Sequence, residues 1–139
     1  MFKNILVPTD LSTKSVKALD IAIKLGSESN SKITLLHVIE TIEDVDYEEF
    51  GEFYEKLKAR AEKKMDEMIH DKKMEQVNIS REIAFGKRVK EIVRFAYENG
   101  IDLIILSSHK IEKIDAAEGW ATISYRVGIL AHCPVMMVK

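Results

Sequence analysis

Asp102-Leu103-Ile104-Ile105-Leu106-Ser107 is the stretch that decides the fold. Four large aliphatic residues follow one another with no polar residue at alternate positions. A strand with water on one face alternates apolar and polar residues; a strand covered on both faces does not. The run therefore predicts a strand of a parallel sheet with helices on either side. Upstream of it, Val89, Ile92, Val93 and Ala96 recur at helical spacing, and Asn99-Gly100 supplies a helix stop.

Ile5-Leu6-Val7, halted at Pro8, and Ile33-Thr34-Leu35-Leu36-His37-Val38 read as two further buried strands. Val77, Ile79, Ile83 and Phe85 alternate with mostly polar neighbours, which predicts a strand exposed on one face. Pro134-Val135-Met136-Met137-Val138 forms the last strand, with Pro134 where a missing donor is tolerated. Between these runs lie helical segments. Ser12 or Thr13 can cap a helix that ends at Gly26 and buries Val16, Leu19 and Ile23. Phe53, Leu57, Ala61, Met65, Met68 and Ile69 mark a long amphipathic helix, and another runs through about residue 131. Five strands alternating with four helices imply right-handed βαβ units, hence a single-domain, doubly wound α/β fold with helices on both faces.

Composition limits function. The chain has 139 residues, 46% hydrophobic and 32% charged, which suits one globular domain. A formal net charge of −2 gives no global attraction to nucleic acid or to an anionic membrane. No apolar run approaches a membrane span or a secretory h-region. The single cysteine, Cys133, excludes an internal disulfide, and a cytoplasmic location is expected. Cys133 reads as a small hydrophobe rather than a reactive thiol. His37, His70, His109 and His132 have no metal-ligand spacing. Neither G-x-G-x-x-G, nor G-x-x-x-x-G-K-[ST], nor G-x-S-x-G occurs. The acidic stretch from Glu40 to Glu55 reads as a solvated connector and helix start, or, with Phe50, Phe53 and Tyr54 interleaved, as a docking segment for a protein partner.

In an open α/β sheet, ligands bind beyond the carboxyl ends of the strands. This draws attention to Pro8-Thr9-Asp10, Val38-Ile39, Ala84-Phe85-Gly86 and Ser107-Ser108-His109-Lys110. Ala84-Phe85-Gly86 offers no acidic phosphoacceptor at the end of the third strand, which argues against a receiver domain.

Taken in order, Ile5-Leu6-Val7-Pro8-Thr9-Asp10, Leu35-Leu36-His37-Val38, Gly86, Asp102-Leu103-Ile104-Ile105-Leu106, Ser108-His109 and Cys133-Pro134-Val135-Met136-Met137-Val138 resemble the universal stress proteins along the whole chain. The resemblance implies a parallel sheet of order 3-2-1-4-5. It also implies a homodimer formed through the terminal strand, Pro134, Val135, Met136, Met137 and Val138. It further implies a site for ATP or another adenine nucleotide, with Mg²⁺, drawn from Pro8, Thr9, Asp10, Val38, Ser107, His109, Lys110, Gly119, Ala121 and Thr122.

ATP-binding members of the family carry a glycine pattern after the fourth strand: Gly, two residues, Gly, nine residues, Gly, then Ser or Thr. Here Ser107 and Lys110 occupy the first two glycine positions. Counting forward reaches Trp120, counting back from Cys133-Pro134 reaches Ala121-Thr122, and Gly119 lies two residues before Ala121. Two readings stand open. The Ser107 hydroxyl, the Lys110 ammonium and the Thr122 hydroxyl replace glycine contacts around an anion, or the first two side chains fill the phosphate space and the module works through partners alone. Asp10 similarly reads either as a ribose and adenine contact or as a turn aspartate before Ser12. No evident water-activating base or metal pair supports catalysis beyond slow ATP hydrolysis.

Overall fold

The computed structural model describes residues 1–42, 47–72, 77–108 and 123–139. The order of elements is β1 (Asn4–Pro8), α1 (Ser15–Ser29), β2 (Lys32–Glu40), α2 (Tyr47–His70), β3 (Asn78–Gly86), α3 (Arg88–Glu98), β4 (Leu103–Ser107), α4 (Ile123–Leu130) and β5 (Val135–Val138). The strands form one parallel sheet of order β3-β2-β1-β4-β5. This is the order that the resemblance implies.

Alternate side chains of the central strands enter two cores. Ile5, Val7, Ile33, Leu35, Leu103 and Ile105 pack against Ala18, Leu19, Ala22 and Ile23 of α1 and Met65 of α2. Leu6, Leu36, Val38, Ile104 and Leu106 pack on the other face against Val89, Ile92 and Ala96 of α3 and Val127 of α4. The continuous apolar runs thus record coverage on both faces. β3 and β5 are the edges. Every apolar side chain of β3 is only half-buried, so its alternation reflects an edge position rather than one open face.

Both ends of α1 and the buried stripe of α2 differ from the sequence reading. α1 begins at Ser15 with Lys14 at its cap position and no side-chain cap, because Ser12 and Thr13 lie in the preceding turn. It continues past Gly26 to a left-handed Asn30. Gly26 lies inside the helix, where an added Cβ would stand 3.0 Å from Ile33 Cδ1, so its role is close helix–strand approach. On α2 the buried stripe passes through Tyr54 (4% exposed) rather than Phe53 (53% exposed). The Tyr54 hydroxyl accepts the Ile42 amide, and its ring meets Phe85 edge-on. A tyrosine with a partner for its hydroxyl can be buried without loss.

Asp102 is not part of β4. Its carboxylate accepts the amides of Lys3 (2.8 Å) and Asn4 (3.2 Å), while its own amide donates to the Asn4 carbonyl (2.9 Å). One side chain therefore sets the register of β4 against β1. Replacing Asp102 with Ala leaves two backbone donors without their carboxylate and is expected to cost about 1–3 kcal/mol. Urea denaturation measures this; an unchanged midpoint would show that water substitutes fully for the carboxylate.

Candidate functional site

β1 and β4 are neighbours, yet the chain leaves β1 for α1 on one face and reaches α4, on the other face, after β4. A crevice must open between the two departing segments. The structure has a cavity of about 350 Å³ there, lined by the ends of β1, β2 and β4 and the starts of α1, α3 and α4. That volume lies within the roughly 300–1,000 Å³ range of small-molecule sites.

The turn after β1 forms one wall. The Thr9 amide donates to the Leu36 carbonyl (2.8 Å), and the Thr9 carbonyl meets His37 Nδ1 (2.9 Å). The Thr9 hydroxyl accepts the Leu11 amide (3.0 Å) and donates to Ser15 Oγ (2.7 Å), which donates to the Ser12 carbonyl (2.7 Å). Leu11 adopts φ +68°, a conformation that non-glycine residues take only when their surroundings impose it. These bonds impose it.

Asp10 sits on this turn and accepts the Ser12 amide (2.9 Å). It is therefore a turn aspartate, and it also lines the cavity. Burial pushes its carboxyl up, but the Ser12 hydroxyl and amide, its own amide and the charge of Arg88 outweigh burial and hold it below the ordinary value. The Ser12 hydroxyl assists electrostatically without a well-formed hydrogen bond. Its buried oxygen has no partner among the described residues, and Ser12 is one of the residues around the cavity. A buried hydroxyl without a partner is costly unless a ligand or water completes it.

The opposite wall comes from β4 and α4. Ser107 donates its hydroxyl to the Lys14 carbonyl (2.9 Å), tying β4 to the start of α1. Ser124 donates to Ser108 (3.1 Å), and the Ser108 amide donates to the Val138 carbonyl (2.7 Å). Leu36, Val38, Ile92 and Leu106 supply an apolar floor, and Lys14 and Arg88 are the cations on the lining.

Pro8, Thr9, Asp10, Val38 and Ser107 thus lie around one cavity. His109, Lys110, Gly119, Ala121 and Thr122 lie outside the described residues. Sequence reasoning did not single out Ser12, Lys14, Arg88 or Ser124 as site residues. Arg88 could have been found from its place as the first residue of the helix after β3. Ser124 had no local signal. Among the described residues no group of three His, Cys, Asp or Glu side chains could hold a metal ion. No helix among them is long and apolar enough to cross a membrane.

The whole chain, residues 1–139, matches the universal stress protein family. It belongs to that family. The chain is 29% identical over 150 residues to the universal stress protein YxiE of Bacillus subtilis, with all of both chains covered. Its fold is similar to that of the universal stress protein MJ0577 of Methanocaldococcus jannaschii, at TM-score 0.80 and 28% identity, covering 100% of this chain and 96% of the other. An Arabidopsis thaliana family protein solved with AMP bound has the same fold, at TM-score 0.73 and 20% identity, covering 99% and 91%.

In this universal stress protein the turn at Thr9 holds the site wall. Thr9→Val removes both hydroxyl bonds while preserving shape, with an expected loss of about 1–3 kcal/mol. It should also speed amide hydrogen exchange at Leu11. Unchanged exchange there would show that the turn holds without the hydroxyl.

Proposed function

We propose that this universal stress protein is a small cytoplasmic binding module whose stress-linked regulatory role is exercised through an adenine nucleotide held in the cavity between β1 and β4. The observation that carries this reading is the lining of the cavity: an apolar floor, an ionised Asp10, and the serines Ser107, Ser108 and Ser124 at its wall. A purine fits the apolar floor beside Val38, whose main chain offers edge contacts. The Asp10 carboxylate suits a ribose hydroxyl, because an ionised carboxylate only accepts hydrogen bonds and a hydroxyl donates one. Lys14 and Arg88 offer charge to a phosphate. The residues present therefore fit a nucleoside phosphate, and a relative of the same fold was solved with AMP. Mg²⁺ would arrive on ATP phosphates rather than on a protein cage.

The reading is one of binding rather than turnover. Cys133 fits a reduced compartment as an inert thiol: burial and the charge of Asp102 push its thiol up and keep it protonated.

A second feature supports a homodimer. Among the described residues β5 pairs with β4 alone, and Met136 (37% exposed) and Met137 (43% exposed) lie on this edge strand. Exposed apolar edges invite pairing with another chain. The partly exposed Phe50 and Phe53 on the acidic start of α2 support a protein partner as the alternative, nucleotide-independent role.

Isothermal titration with adenosine, AMP, ADP and ATP tests the site. Micromolar binding, about −8 kcal/mol, is expected, and Asp10→Ala should weaken it about five- to tenfold with the thermal melt preserved. Absence of heat from every nucleotide, with none co-purified, would overturn the site reading in favour of partner binding alone. Light scattering tests the edge: Val135→Pro and Met137→Asp should give monomers or aggregates. A clean dimer after both changes would place any interface elsewhere.

A further inference from the structure

Helix α2 carries a face that the fold does not use. Its buried stripe runs through Tyr54, Ala61 and Met65, and the exposed Phe50 and Phe53 with the half-buried Leu57 form a shoulder beside it. Spacings of three and four residues keep these side chains on one face. The charged residues along the solvent side of the shoulder are sorted by sign. Glu49 and Glu52 come first, followed by Lys56, Arg60, Lys63 and Lys64, all exposed. Glu67 ends the basic stretch. The other carboxylates of that half, Glu62 and Asp66, are taken by Arg81 of β3. Glu43, Asp44 and Asp46, outside the described residues, precede the acidic half in the sequence.

The helix dipole does not account for this order. It favours carboxylates in the first turn and cations in the last, and it fades within a turn. The helix has 24 residues, and Lys56, Arg60, Lys63 and Lys64 stand in its middle turns. There Lys56, Arg60 and Lys64 repeat at four-residue spacing, and Arg60 and Lys63 at three. Like charges so placed destabilise the helix that carries them. A basic partner would suit the acidic half and be repelled by the next two turns; an acidic partner would meet the reverse. One surface complements both halves at once, and it is the same face turned end for end.

We propose that this face of α2 is a homotypic docking surface, on which two copies of the chain pair their α2 helices antiparallel. A two-fold axis near Lys56 lays Phe50 and Phe53 of one copy over Leu57 and the aliphatic stems of Lys56 and Arg60 of the other. The same axis brings Glu49 and Glu52 against Arg60, Lys63 and Lys64. The partner of the acidic, aromatic surface is then the chain itself. Helix α2 packs on β2 and β3, at the opposite end of the sheet from β5, so this contact is separate from the edge pairing and from the nucleotide site. A few turns of helix bury less than a standard interface, so the contact is weak, with a dissociation constant of about 100 μM at low ionic strength. At low micromolar concentration it does not mask the β5 edge.

Disulfide trapping on the full chain tests this. Lys56→Cys, in a chain with Cys133→Ser, places one thiol near the axis, and Lys24→Cys on α1 reports random collision at an exposed position. At about 100 μM protein and about 50 mM salt, with a copper–phenanthroline oxidant, the dimer linked at 56 should form about tenfold faster than the one linked at 24. That excess should fall about fivefold at about 300 mM salt. Charge reversal then tests the pairing. In the Lys56→Cys chain, Glu49→Lys with Glu52→Lys makes the face basic throughout, and Arg60→Glu with Lys63→Glu makes it predominantly acidic. Each variant alone should lose the excess. Their equimolar mixture should restore it as a mixed dimer, recognised by mass, which also shows that both variants are folded. Equal rates at 56 and 24, an excess that both reversals leave intact, or a loss that mixing does not restore overturns the homotypic surface. The trap reads α2 alone, so its failure leaves the β5 and nucleotide readings standing.

Discussion

The constraint on which the structure depends is the reversal of winding between β1 and β4. The chain packs α1 and α2 on one face, then crosses beneath β1 and packs α3 and α4 on the other. The two central strands must then be apolar on both sides, and the segments that leave them must diverge. The first requirement builds two cores from one sheet. The second opens the cavity, which is the place where backbone and side chains cannot pack because the chain departs in opposite directions. Asp102 secures this reversal by fastening β4 to the first residues of β1 at the amino ends.

The central strands were legible because burial on both faces leaves a signature that depends only on local composition. Helix α3 was legible for a similar reason, with its apolar stripe and the Asn99-Gly100 stop in one short window. The start of α1 was not. Ser12 and Thr13 look like caps, but the hydroxyl of Thr9 reaches forward to Leu11 and Ser15 and organises a turn instead. The choice between Phe53 and Tyr54 was also hidden, since it turns on Phe85 and Ile42 arriving from other elements. The carboxyl-end residues Pro8, Thr9, Asp10, Val38 and Ser107 came from strand ends and family resemblance. Arg88 and Ser124 came from tertiary structure, which alone brings α3 and α4 to the same crevice.

Asp10 shows why two readings of one residue need not compete. Its hydrogen bond from the Ser12 amide shapes the turn, and the Ser12 hydroxyl together with that amide lowers its pKa against the pull of burial, so the turn favours the charged carboxylate beside the cavity.

The cavity and the sheet edge share β4. Ser108, the first residue beyond that strand, lines the cavity and donates its amide to the Val138 carbonyl at the end of β5. Its hydroxyl takes the hydroxyl of Ser124 on α4. A ligand that repositions Ser108 therefore acts on the last hydrogen bond holding the edge strand. Proximity alone does not make these sites interdependent; a ligand shifts an assembly only by the difference between its affinities for the two states. In this fold such a difference would have a short physical route, two serine side chains and one strand-end hydrogen bond, with no rearrangement of either core.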